Sequence, residues 1–183
     1  MRIVHLTPYA TDGNIGREYN YECSRVEDPE DWIVIRDGDT MFLTPDWGNI
    51  IEDTIKKHGD TYGLFGAVTN RIASYHQRVT HKDMFNEMAM DKHHAEAVVL
   101  RDKLGTLVTP TNMDVAGFFM AFQKKTWDKV KFRENTRLFD MYFSQDTARI
   151  GVKKAIMRGV YVLHSYRIWA EEPERYVAHL PEA

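Results

Sequence analysis

The chain has few cysteines, no excess of positive charge and no long hydrophobic run, and each of these absences excludes a class of protein. It has a single cysteine, Cys23, which excludes an internal disulfide framework and is typical of a reducing compartment. Its formal net charge of −3 argues against a broadly basic nucleic-acid binder. No hydrophobic run is long enough to span a membrane, and the run within MRIVHLTPYA is far too short for a signal peptide. We therefore expect a soluble, cytoplasmic protein.

The sequence also lacks a P-loop, a Rossmann fingerprint and a nucleophile elbow. What it does have is a hydrophobic fraction of 43% over 183 residues, which is enough for the core of one folded domain. We expect a single compact domain spanning 1–183, in which 171–183 form a charged tail.

Hydrophobic patterning predicts strands that alternate with helices. The predicted strands are 3–6, 32–35, 62–68, 117–122 and 160–163. The predicted helices follow a cap at Asp12 or Asn14, follow a cap at Thr44, lie within 81–104, and run from Ser144 to a stop at Gly159. This alternation indicates an α/β layered domain, in which ligands bind beyond the carboxyl ends of the strands.

The segment WIVIRDGDT places two carboxylates at the end of a buried strand. In extended backbone, Asp37 and Asp39 face the same side, so they converge on one point. Gly38 between them has no side chain and lets a bulky anion approach the backbone. Two close carboxylates repel each other unless a cation neutralises them or one keeps its proton. Oxygen ligands favour Mg²⁺ or Mn²⁺, which in turn attract phosphate.

Three other interpretations of this segment have to be compared. Asp-Gly is common in turns, so DGDT is also compatible with a solvated hairpin turn. An EF-hand loop requires glycine at its sixth position and glutamate at its twelfth, where this chain has Phe42 and Gly48. A haloacid-dehalogenase-like phosphatase has threonine or valine two residues after the second aspartate, where this chain has Met41.

The order of motifs along the chain resembles that of the GT-A glycosyltransferases, particularly the large family-2 group. NIGREYN (14–20) precedes the Asp-Gly-Asp segment, and GFFMAF (117–122) and FSQD (143–146) follow it. Next come a predicted helix that ends in Arg158-Gly159 and a strand that ends in His164. The resemblance covers about Asn14 to Tyr166, and it implies a GT-A-like mixed, mostly parallel sheet flanked by helices.

The resemblance also implies a chemistry for particular residues. Asp37 and Asp39 match the D-x-D motif that holds a divalent cation, Mn²⁺ or Mg²⁺, against the diphosphate of a UDP- or GDP-sugar. His164 matches a histidine that completes the metal site in some members. Asp146 matches the general base of inverting members, and a carboxylate in the first turn of a helix stays ionised for that task.

The chain departs from the family between its first strand and the D-x-D motif, where only about thirty residues intervene. Family members normally have further strands and helices there, and these bind the nucleotide base. We expect Thr7, Pro8 and Tyr9 to begin a base pocket. By the same resemblance, Asn14 lies on the donor side, and Arg17 meets the diphosphate.

The sequence leaves two other functions open. One is a nucleotidyltransferase of similar fold, which would release pyrophosphate instead of a nucleoside diphosphate. The other is a noncatalytic nucleotide- or sugar-binding module, which the short N-terminal half favours. The basic stretch KKTWDKVKFR (124–133) is typical of a solvated face, and its alternative is a surface for an anionic acceptor. By position, residues 69–71 are also expected to line the donor site.

Overall fold

The computed structural model describes residues 1–79 and 84–166, so the predicted tail 171–183 lies outside the described residues. The described strands are β1 Ile3–Leu6, β2 Trp32–Arg36, β3 Thr40–Phe42, β4 Leu64–Thr69, β5 Val108–Thr111, β6 Phe119–Gln123 and β7 Lys154–His164. The helices are α1 Ile15–Ser24, α2 Trp47–His58, α3 Met90–Leu104, α4 Lys124–Lys129 and α5 Phe139–Arg149, with a 3₁₀ turn at Tyr75–Gln77. No helix in these ranges is long and apolar enough to cross a membrane.

The seven strands form one mixed sheet in the order β1-β2-β6-β4-β7-β3, and β5 also pairs with β7. Strands β1, β2, β4 and β7 point the same way, but β6 lies antiparallel between β2 and β4. Strands β3 and β5 are both antiparallel to β7. The α/β class and the mixed sheet are therefore confirmed. The expectation of a mostly parallel sheet is wrong, because only β1–β2 and β4–β7 are parallel neighbours.

Both faces of the sheet are covered, which explains why residues 32–35 of β2 are all apolar. Ile33 and Ile35 join one hydrophobic cluster with residues of α1, α3 and α5. Trp32 and Val34 join a second cluster on the opposite face with Ile51 and other residues of α2. Alternate residues of β2 thus face different helices, so neither face tolerates polar side chains.

The start of α2 differs from the prediction that Thr44 caps it. The helix begins at Trp47 after Asp46, whose φ of 55° lies in the left-handed region. The hydroxyl of Thr44 instead accepts a hydrogen bond of 2.7 Å from the backbone N–H of Tyr161 on β7. The predicted stop at Gly59 is confirmed as the C-cap.

The predicted helix from Ser144 to Gly159 is wrong at both ends. The helix is α5, which starts five residues earlier at Phe139 and ends at Arg149. Gly151 then takes a φ of +84°, which ends the helical path, and the chain continues as β7 from Lys154. The apolar spacing that suggested a helix reflects a strand that is buried on both faces.

Candidate metal centre

Polar residues follow three strands at the carboxyl edge of the sheet. Asp37 comes directly after β2, Asn70 comes directly after β4, and His164 is the last residue of β7. The segment from Asp37 to Asp39 is not a hairpin turn, because β2 pairs with β1 and β6, whereas β3 pairs with β7. Thr40, which directly follows Asp39, pairs with His164, so this pairing places Asp39 next to the end of β7.

Asp37, Asp39 and His164 form the candidate metal centre. One ligand atom from each lies within 4.8 Å of the other two, and no other such trio of histidine, cysteine or acidic side chains occurs in the described residues. His164 Nε2 lies 3.4 Å from Asp39 Oδ1. Two carboxylates and one imidazole form a donor set that suits Mn²⁺ and similar divalent ions. The residues that the sequence proposed as metal ligands are therefore close enough to share one ion.

The hydrogen bonds of His164 orient its ring as a metal ligand requires. Its Nδ1 lies 2.8 Å from the backbone carbonyl oxygen of Arg71. Since a carbonyl only accepts, Nδ1 carries the proton, and Nε2 faces Asp39 with a lone pair or a second proton. Histidines that bind metals commonly donate their other N–H to a carbonyl in this way. The ring is only 3% exposed and stacks on Phe118 at a centroid distance of 5.6 Å.

Asn70 secures the backbone next to the centre. Its Oδ1 accepts a hydrogen bond of 2.9 Å from the backbone N–H of His164, while its Nδ2 is buried without a partner among the described residues. Two of the three residues that position alone suggested, Asn70 and Arg71, therefore contact His164. The end of β4 helps to hold the end of β7.

The two aspartates have different electrostatic environments. Burial raises the pKa of Asp37, although the hydrogen bond from Tyr19 and the charge of His164 oppose this. For Asp39, burial also acts to raise the pKa, but the hydrogen bond and charge of His164 outweigh it and leave the pKa below its usual value. A divalent cation would favour the ionised form of both carboxylates.

The turn between the aspartates is fixed by its neighbours and not by its glycine. The Thr40 hydroxyl donates a 2.6 Å hydrogen bond to the Asp37 carbonyl, and the Ser165 N–H bonds the Asp39 carbonyl at 2.9 Å. A Cβ atom added at Gly38 would meet no atom within 4 Å. The space above Gly38 is therefore open, as the predicted approach of a bulky anion requires.

Asp146 does not lie in the first turn of a helix, where the sequence analysis placed it. It lies in the last turn of α5, where its carboxylate binds Arg133 at 3.0 Å and also pairs with Arg149. The acidic residue in the first turn is Asp140. The prediction that Asp146 heads a helix is therefore wrong, because the helix begins at Phe139.

Asp140 is linked to Asp37 through the backbone of Gly117 and Phe118. Its Oδ2 accepts a 2.8 Å hydrogen bond from the backbone N–H of Gly117. The carbonyl of the next residue, Phe118, accepts a 3.2 Å hydrogen bond from the N–H of Asp37. Burial raises the pKa of Asp140, although backbone N–H groups oppose this, and its charge contributes to the raised pKa values of Asp37 and Tyr19.

The residues expected to bind the nucleotide lie at the same edge or near it. Thr7, Pro8 and Tyr9 follow β1, whose last residue pairs with Ile35 just before Asp37, and Tyr9 is 82% exposed. Their contact with a base stays a prediction.

The two residues expected from α1 have protein partners. The Asn14 side chain caps α1 and exchanges hydrogen bonds of 3.0 Å with Asn135. Arg17 pairs with Asp12 at 2.9 Å and with Glu18 at 2.8 Å. Neither side chain is poised for a diphosphate in this arrangement, and its contact with one stays a prediction.

Sequence reasoning missed Tyr19 and Asp140. Tyr19 is fully buried, and its hydroxyl donates a 2.6 Å hydrogen bond to Asp37 Oδ1. The position of Tyr19 within NIGREYN was the only feature of the sequence that pointed to a role for it. For Asp140, the signal in the sequence is Gly151, which ends α5 before Gly159 and so places Asp146 in the last turn of the helix instead of the first.

Most basic side chains of the stretch 124–133 contact other side chains of the protein. Lys124 pairs with Asp128 at 2.6 Å and lies 4.8 Å from the centroid of the Trp127 ring. Lys131 lies over the same ring at 2.9 Å. The stretch is not wholly a solvated face, because Lys124 and Trp127 are buried, and an anionic acceptor at this surface stays a prediction.

Comparison with known proteins adds no assignment. No protein-family model matches the chain, and no curated protein matches it.

Proposed function

We propose that this protein is a metal-dependent glycosyltransferase that moves a sugar from a UDP- or GDP-sugar to an acceptor hydroxyl. The observation that carries the proposal is the convergence of Asp37, Asp39 and His164 at the carboxyl edge of the sheet. The order of NIGREYN, the Asp-Gly-Asp segment and GFFMAF along the chain, which resembles that of GT-A enzymes, also supports it. The single cysteine, buried in the core, is compatible with a cytoplasmic location, which is part of the proposal.

In this proposal the candidate metal centre holds Mn²⁺ or Mg²⁺ through two carboxylates and one imidazole. The ion supplies positive charge that stabilises a leaving nucleoside diphosphate. The chain fixes the ligands before any ion binds, because Asn70 and Arg71 hold His164 and Tyr19 holds Asp37. Little reorganisation is then needed when the donor arrives.

Asp140 replaces Asp146 as the proposed general base. It lies in the first turn of α5 and is linked to Asp37 through the backbone of Gly117 and Phe118, whereas Asp146 is paired with two arginines. Burial raises the pKa of Asp140, which makes its carboxylate a stronger base for an acceptor hydroxyl. Attack by that hydroxyl on the anomeric carbon from the side opposite the diphosphate would invert the configuration.

The test is a thermal-shift screen of UDP, GDP and their sugars, with and without Mn²⁺. We expect the melting temperature to rise only when nucleotide and ion are both present, because the ion links the diphosphate to the protein. A ligand at about 100 times its Kd stabilises a protein by about 2.7 kcal/mol, which a thermal shift detects. Asp39→Asn and His164→Ala should remove this rise, and Asp60→Asn, at an exposed loop position, should retain it. A nucleotide effect that is the same without the ion, or in all variants, would contradict the metal site.

A noncatalytic nucleotide- or sugar-binding module is the second candidate. The favouring observation is that α1 is the only regular element between β1 and β2, which leaves little chain for a base pocket. This candidate predicts the same ion-dependent thermal shift, but no release of nucleoside diphosphate from any sugar nucleotide. Release of pyrophosphate would instead indicate a nucleotidyltransferase.

A further inference from the structure

The segment NIGREYN (14–20) fastens α1 to the chain that precedes α5. Asn14 Oδ1 accepts a 3.0 Å hydrogen bond from the N–H of Asn135, and Asn20 Oδ1 accepts a 2.9 Å hydrogen bond from the N–H of Phe132. A Cβ atom at Gly16 would lie only 2.2 Å from the carbonyl oxygen of Arg133, so the close approach requires glycine. Both asparagines thus fix where α1 lies.

Tyr19 lies between these two attachments and faces the interior. Its ring is fully buried and makes edge contacts with Phe132 at 5.2 Å and Phe139 at 5.0 Å. Its hydroxyl reaches Asp37 Oδ1 at 2.6 Å, the length of a strong hydrogen bond to a carboxylate. Two aromatic neighbours and a fastened helix therefore hold one donor against one oxygen of Asp37.

The backbone of Asp37 is fixed by β6, but its side chain is not. The Asp37 N–H bonds the Phe118 carbonyl at 3.2 Å, which leaves rotation of the carboxylate free. Among the described residues, the Tyr19 hydroxyl is the side-chain group that hydrogen-bonds this carboxylate. The bond uses one lone pair of Oδ1 and leaves the other carboxylate oxygen for an ion.

We propose that Tyr19 is a positioning residue for metal binding, which acts by holding the Asp37 carboxylate in the orientation that the ion requires. This inference rests on the proposed function, because it assumes that Asp37 is a metal ligand. It gives NIGREYN a role in ordering the metal centre instead of contacting the nucleotide. Removing partners of this kind typically weakens metal binding about 10- to 100-fold.

The test compares Tyr19→Phe with Tyr161→Phe. Tyr161 is a matched control because it is also fully buried and its hydroxyl also makes one short hydrogen bond, 2.7 Å to His93 Nδ1. Free Mn²⁺ is followed by electron paramagnetic resonance during titration into each protein with saturating UDP or GDP. We expect the Kd for Mn²⁺ to rise about tenfold or more in Tyr19→Phe and to change less than about twofold in Tyr161→Phe.

Each outcome decides one question. Equal Kd values in all three proteins, or equal weakening in both variants, would overturn the role of Tyr19 while leaving the metal site standing. If wild-type protein binds no Mn²⁺ with either nucleotide, the proposed function itself fails, and the inference fails with it. Thermal melting of the same samples separates the two roles, because a purely structural tyrosine would lower the melting temperature without changing the Kd.

A measurement on the wild-type chain covers the case in which Tyr19→Phe does not fold. With ¹³Cζ-labelled tyrosine, Mg²⁺ titration in saturating nucleotide should shift the Tyr19 resonance with the midpoint of ion binding, while the Tyr161 resonance stays in place. A Tyr19 resonance that does not respond to a bound ion would overturn the proposal.

Discussion

The first and last turns of α5 each have one aspartate, and the two aspartates are held in opposite ways. Asp140 is bonded by the backbone N–H groups of Gly117 and Met141, and no lysine, arginine or histidine among the described residues pairs with it. Asp146 is paired with Arg133 and Arg149, whose side chains are 45% and 66% exposed. Residue type and spacing from a helix end therefore do not decide which carboxylate is available for chemistry.

The comparison teaches that partners distinguish a reactive carboxylate from a structural one. Arg133 and Arg149 occupy the oxygens of Asp146, whereas burial raises the pKa of Asp140. Asp140 also belongs to the hydrogen-bonded chain that leads through residues 117 and 118 to Asp37.

The largest expected effect is on turnover. Asp140→Asn should lower kcat by about 10²- to 10⁴-fold, because general-base catalysis contributes a factor of that size. Asp146→Asn should keep kcat within a few-fold of the wild type. The measurement is release of nucleoside diphosphate from the donor sugar, with nucleotide binding checked in both variants. Equal losses, or a larger loss in Asp146→Asn, would reverse the assignment.

A second prediction concerns Gly117, which contacts Asp140. A Cβ atom there would lie 2.9 Å from the Asp140 Cβ, so Gly117→Ala must displace the carboxylate. We expect kcat to fall by up to about 10²-fold, as small misplacements of a reacting group can cause. Gly48→Ala in α2 is the control, because its added Cβ would meet no atom within 4 Å. If kcat is unchanged in Gly117→Ala, the position of Asp140 does not matter for turnover.

The pH dependence of kcat should report Asp140. A base must be deprotonated, so kcat should fall about tenfold per pH unit below the pKa of Asp140, which lies above the usual 3.8 of aspartate. Saturating donor and Mn²⁺ keep the metal ligands ionised during this titration. The acid limb should be absent from the residual activity of Asp140→Asn and retained in Asp146→Asn. A limb that persists unchanged in Asp140→Asn would assign the titration to another group.

The same raised pKa has a consequence for stability. Because the folded state holds the Asp140 proton more tightly than the unfolded state, this group favours folding at low pH. That contribution is lost as pH rises from the unfolded pKa through the folded one.

The smallest effect is expected from the ion pairs of Asp146. Asp146→Asn should lower the free energy of unfolding by no more than about 1 kcal/mol, because its partners are well exposed to solvent. Urea denaturation measures this loss, which should shrink in 1 M NaCl as salt screens the pairs. A salt-independent loss well above this value would show that Asp146 has a structural role that these ion pairs do not explain.

Part of the sheet was predictable from the sequence because residues 32–35 of the buried strand β2 form a continuous apolar run. Strand β3 has only three residues, too few for a pattern. The segment 150–157 was wrongly predicted to be helical because its apolar spacing suits a helix as well as a buried strand. Gly151 is present in the sequence as a possible helix end, but its left-handed φ, which separates α5 from β7, is a property of the folded chain.

The candidate ligands of the metal centre could be predicted from the sequence, but the residues that hydrogen-bond and orient those ligands could not. Asp37 and Asp39 are two residues apart on one chain segment, so local geometry is enough to bring them together. The contacts of Tyr19 with Asp37 and of Asn70 with His164 span 18 and 94 residues, and they depend on how the whole sheet is assembled. No local pattern encodes them.

The most direct measurement is anomalous diffraction at the manganese absorption edge from crystals grown with Mn²⁺ and UDP or GDP. The account predicts a single strong anomalous peak within bonding distance of Asp37, Asp39 and His164, next to the nucleotide diphosphate. A bound nucleotide with no peak between these three side chains, or with the ion elsewhere, would contradict it.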